Sequence, residues 1–108
     1  MSDFSNRRRS TRLTIAIPIR VQGTSVEGRA LNETTRTLEI NLHGAKIVLK
    51  GEVNPGTILQ IVNIAGNSTA PFRALRLERQ SPQEGEGREW AVECLDDKRN
   101  IWGVEFPP

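Results

Sequence analysis

TLEINLHGAKIVL, residues 37–49, alternates apolar and polar side chains ahead of a glycine and turns almost continuously apolar after it. Leu38, Ile40 and Leu42 fall in one phase and Thr37, Glu39, Asn41 and His43 in the other. A period of two places successive side chains on opposite faces of a strand. The pattern therefore predicts a strand over residues 29–42, with Leu38, Ile40 and Leu42 facing the core and Glu39 and Asn41 outside. Gly44 can take backbone angles closed to other residues, which suits a sharp turn or a bulge. AKIVLKG, residues 45–51, then resumes the extended pattern as a neighbouring strand.

The same period runs outward in both directions. Upstream, Leu13, Ile15, Ile17, Ile19 and Val21 alternate with Thr14, Ala16, Pro18 and Arg20, which predicts a half-buried strand over residues 13–21. Pro18 has no N–H for a ladder, so it belongs on an edge strand or outside the hydrogen-bonded rungs. Residues 23–28 read as a turn. Downstream, NPG (54–56) and GNSTAP (66–71) are turn signals that bound two strands, TILQIVNI (57–64) and FRALRLERQ (72–80). SPQEGEG (81–87) lacks the strand-to-helix setting of a phosphate cradle and reads as a solvated hairpin loop. REWAVECL (88–95) and IWGVEF (101–106) are expected to close the chain as strands, with Trp90, Val92, Cys94, Trp102, Val104 and Phe106 in the core. Helix is confined to short pieces, with DDKRN (96–100) and the N-terminal arm as candidates. Many short strands at fairly even spacing point to an antiparallel barrel or sandwich.

Composition narrows the function. A chain of 108 residues has room for one domain with one modest core. Its single cysteine, Cys94, excludes an internal disulfide framework and any cysteine-based zinc site. No apolar run approaches a membrane span, and no stretch of signal-peptide type precedes the arginines, so membrane insertion is not expected and the cytoplasm is the expected compartment. With one histidine and one cysteine, no set of nucleophile, base and orienting acid is visible, and the chain is not expected to be an enzyme. His43 with Glu39 falls short of the three or four ligands that zinc requires.

The formal charge is only +2, but NRRRSTRLTI (6–15) packs four arginines into six positions. Such a run is either a solvated arm or a ligand clamp, because like charges crowded together cannot all be buried. The planar fork of arginine matches phosphate oxygens and the O6/N7 edge of guanine. A carboxylate such as that of Glu39 can accept the N1 and N2 hydrogens from the opposite edge of the same base. The bland counterpart is an ordinary solvent face carrying Glu39, Asn41 and His43.

These features resemble the PilZ domain, a bacterial receptor module for the second messenger cyclic di-GMP. That family carries RxxxR just ahead of its first barrel strand, and Arg8-Arg9-Ser10-Thr11-Arg12 supplies it here. It then carries (D/N)xSxxG, aligned here with Glu39-Ile40-Asn41-Leu42-His43-Gly44, in which only the glycine is unchanged. AKIVL is similar to the continuation after that motif, and IWGVEF to the family's final strand. The resemblance implies an all-β fold, a small antiparallel β-barrel of about six strands over residues 13–108, with a basic N-terminal arm over residues 1–12 that orders on ligand binding. It further implies that Arg8 and Arg12 take phosphate and guanine edges, that Arg9 adds field or stacking, that Glu39 and Asn41 read guanine, and that Gly44 lets the backbone turn close to the ligand. The output would pass to a separate effector protein. One rival is a PilZ-fold adaptor that no longer binds nucleotide. Another, a nucleic-acid-binding barrel, is disfavoured because the two tryptophans and three phenylalanines leave few residues for stacking bases, and there is no tyrosine.

Overall fold

The computed structural model describes residues 11–80, 87–96 and 98–106. Six strands form where the alternation is strongest: β1 (Pro18–Thr24), β2 (Ala30–Asn41), β3 (Gly44–Leu49), β4 (Ile58–Asn63), β5 (Ser68–Gln80) and β6 (Arg88–Cys94). All pair antiparallel and close into a barrel in the order β1-β2-β3-β6-β5-β4. No helix occurs among the described residues, and within 96–100 the Arg99 N–H donates to the Asp96 carbonyl in a simple turn. The core is the inward phase of the strands: Ile19, Val21, Ile40, Ile47, Leu49, Leu59, Ile61 and Phe72 are all but completely buried. Each such side chain contributes roughly 1.5–3 kcal/mol relative to exposure.

The strand around Glu39 departs from strict alternation. A bulge between Thr37 and Glu39 makes Leu38 an extra residue with no partner on β3, since Thr37 pairs with Ile47 and Glu39 with the next residue, Lys46. A bulge of one residue inverts the phase of everything beyond it. Leu31 and Thr37 therefore point inward before it, and Ile40 after it. Of the three residues expected in the core, only Ile40 is buried; Leu38 is half-buried and Leu42 is exposed in the hairpin loop. Thr37, expected outside, is fully buried.

That buried threonine has work to do. Its hydroxyl donates to the Ile15 carbonyl at 2.7 Å and accepts the Ile17 N–H at 2.8 Å. Just ahead, Leu13 and Ile40 exchange both backbone hydrogen bonds at 2.8 Å. Residues 13–17 thus lie along the bulged half of β2 as an irregular extension, and the continuous strand begins only at Pro18. A closed barrel has no edge for the proline, and Pro18 takes the other tolerated place, the first residue of its strand. Thr37→Val keeps shape and β-propensity but strands the Ile17 N–H. It is expected to lower stability by about 2 kcal/mol, read from the urea midpoint at unchanged slope.

The end of the chain also differs from expectation. Residues 101–106 form no strand, because Gly103 sits at φ 77° and the Asn100 side chain folds the segment back, accepting from Trp102 N and donating to the Val104 carbonyl. Ile101 and Trp102 instead plug the barrel, with the Trp102 ring tilted 54° against Phe72 at 5.7 Å. Asn63, buried at the end of β4, donates to the Ile101 carbonyl at 2.7 Å and fixes this plug. Val104 and Phe106, expected in the core, are only partly buried against it.

Candidate functional site

Arg12 is positioned by its neighbour. Because Leu13 is bridged to Ile40, Arg12 falls beside the outer face of β2, where its Nη1 lies 3.8 Å from Oε1 of Glu39. Both side chains keep contact with water, so the pair is a weak tether that another partner can displace. Lys46 stands opposite Glu39 on β3.

Asn41 ends β2 and opens the two-residue hairpin to Gly44. Its Oδ1 accepts the His43 N–H at 2.9 Å, an arrangement that shapes the turn from the side chain. The acceptor end is therefore engaged in the loop, and the amide Nδ2 is what Asn41 can offer a ligand. The Asn41 carbonyl also accepts the Trp102 indole N–H at 3.2 Å, which ties the hairpin to the C-terminal plug.

Gly44 is buried, and its glycine character has a different origin from the turn freedom expected of it. Positive φ occurs elsewhere, at Gly28, Gly56, Gly87, Gly103 and Asn67 among the described residues. At Gly44 a Cβ would collide with the Val92 carbonyl oxygen and stand 3.3 Å from Glu93 Cα, because β6 runs directly across it.

Arg12, Glu39 and Asn41 share one open cavity of about 160 Å³. Sequence reasoning missed its remaining polar walls, Lys46 from β3 and Arg76 and Glu78 from β5, with Leu75 and Ala45 between them. Lys46 was within reach of a sequence argument, since counting back from the Asn41–Gly44 turn sets it opposite Glu39. Arg76 was not, because its place depends on β6 lying between β3 and β5 and on a bulge between Ala74 and Arg76. Arg8 and Arg9 lie outside the described residues, as do most of the 81–87 loop and Asp97. His43 sits in the hairpin loop, and among the described residues no three His, Cys, Asp or Glu side chains come together as a metal site.

A larger hollow, about 470 Å³, opens near the β1–β2 turn. Part of its polar lining is already paired. The Glu33 carboxylate accepts the N–H groups of Lys50 at 2.9 Å and Gly51 at 2.7 Å, and Arg88 donates to the Lys50 carbonyl at 2.8 Å. Among the described residues no helix is long and apolar enough to cross a membrane. The chain matches no protein-family model, and no curated protein matches it significantly.

Proposed function

We propose that the protein is a cytoplasmic PilZ-type receptor that binds cyclic di-GMP on the outer face of the barrel and relays the signal to a partner protein. The observation that carries this reading is the convergence of Arg12, Glu39 and Asn41, drawn from two separate sequence motifs, on one cavity. Arg12 supplies a cationic fork, Glu39 an acceptor pair for guanine N1 and N2, and Asn41 an amide donor. Ligand pockets usually measure about 300–1,000 Å³, larger than the hollow here, so the rest of the ligand's enclosure falls to the arm with Arg8 and Arg9. Closure of Arg8 and Arg9 on the ligand would change the surface at the cavity, which gives a partner something to read.

Two observations favour a second reading, a PilZ-fold adaptor that works by protein contact alone: Glu39 is already paired with Arg12, and the Asn41 Oδ1 is held by its own loop. Calorimetric titration decides between them. The receptor reading expects saturable binding of cyclic di-GMP, with weaker binding of cyclic di-AMP and none of a short RNA. Absence of heat with every ligand, in a protein shown to be folded, leaves the adaptor.

A further inference from the structure

We infer that Arg76, aimed across the cavity by Glu78, holds the phosphodiester of the bound dinucleotide, an inference that rests on the receptor reading above and adds a β5 wall to the residues of the two motifs. Three features of β5 lead to it. The strand loses its β4 partner after the Ile58–Arg73 pair and continues with β6 alone. A bulge at Ala74–Arg76 then breaks the alternation, so that Leu75 and Arg76, adjacent in sequence, both line the cavity. Finally, Arg76 is anchored by a carboxylate of its own strand, its Nε lying 2.6 Å from Oε2 of Glu78.

The anchoring is asymmetric. The Glu78 side chain is 25% exposed and that of Arg76 is 68% exposed, so the carboxylate is the sheltered post and the guanidinium the projecting arm. A guanidinium held at Nε can still offer its Nη groups side by side to two oxygens of a phosphate.

Charge around the hollow points the same way. Arg12, Lys46 and Arg76 face Glu39 and Glu78, three cations against two carboxylates, and each carboxylate already has an arginine. The unspent charge is positive, which suits an anion and not a metal ion. A cation on the wall facing Arg12 would grip the ligand from the side that neither motif reaches. The bland account is that Arg76 and Glu78 merely keep an open strand edge from pairing with another chain, as charges on edges do.

Titration of cyclic di-GMP into the full chain separates the two. Arg76→Ala should weaken binding about tenfold, the loss of a charge-assisted contact, and Arg76→Lys should recover part of it. Glu78→Gln should weaken binding less than Arg76→Ala, because the fork is present but unaimed. Arg79→Ala, a control on the same strand that does not line the cavity, should bind as the parent does, and the melting temperature without ligand should be unchanged in all four. Arg76→Ala binding as tightly as the parent overturns the inference and leaves the receptor reading standing. Equal losses in Arg76→Ala and Arg79→Ala also overturn it, since the effect is then only net charge. A folded parent that binds no cyclic di-GMP overturns the receptor reading itself, and this inference with it.

Discussion

A single methyl group at Gly44 is expected to lower the unfolding free energy by about 3 kcal/mol, at the upper end of what overpacking costs. The atoms it would strike are backbone, the Val92 carbonyl oxygen and Glu93 Cα. Neither can rotate away as a side-chain tip would. β6 is held at this point by its ladder to β3 and by the Cys94 N–H donating to the His43 carbonyl at 2.7 Å. Room for a Cβ therefore requires the β3–β6 seam to open, and a barrel whose total stability is about 5–15 kcal/mol loses a large share of it. Gly56 supplies the contrast: it sits at φ 94° with nothing within 4 Å of a Cβ, so Gly56→Ala should cost only the conformational term of roughly 1–2 kcal/mol. Urea unfolding of the two variants beside the parent reads both values. Equal small losses would mean that the strands part easily at Gly44. The result also bears on function, because a glycine explained by strand contact needs no ligand to account for it.

What the sequence made legible follows from what a period of two can encode. Ile19 and Val21, and likewise Trp90 and Val92, are buried in the phase their alternation predicts, because in those segments each residue has one partner on the next strand. Alternation carries no information about where a strand gains a residue. The bulge at Leu38 puts Thr37 and Ile40 on the same inward face, the hairpin turn leaves Leu42 exposed, and β5 beyond Ala74, bulged twice and without β4 beside it, has residues 75–80 exposed. The last segment deceived in another way: Trp102, Val104 and Phe106 are spaced as in a strand, yet Gly103 and Asn100 fold them into a plug. Of the site, Arg12, Glu39 and Asn41 were named by motif, which needs only local order. The Arg76 wall comes from strand closure across β6, which no local pattern records.

Arg12→Ala is expected to weaken cyclic di-GMP binding by about thirtyfold to a hundredfold, the equivalent of losing roughly 2–3 kcal/mol of charge-assisted hydrogen bonding. It should leave the melting temperature without ligand nearly unchanged. The reason for the separation is geometric: Leu13, Ile17 and the Thr37 hydroxyl hold the adjoining segment to β2 through contacts that do not involve Arg12, and the exposed pair with Glu39 adds little. Glu39 requires a finer design, since it both touches Arg12 and would accept from guanine. Glu39→Ala alone should weaken binding about tenfold to a hundredfold if it meets the base as a bidentate acceptor. If it merely holds Arg12 in place, that loss should vanish once Arg12 is already alanine, so the double variant would bind no worse than Arg12→Ala. The receptor reading expects the two losses to remain largely additive, with the preference for cyclic di-GMP over cyclic di-AMP falling only when Glu39 is changed, because adenine has no N1 hydrogen to donate. Glu39→Gln keeps the length and removes the charge, and separates acceptance from repulsion of the ligand phosphates. A Glu39→Ala variant that binds as tightly as the parent and discriminates as well would reduce Glu39 to surface, and recognition of guanine would have to lie with the arginines.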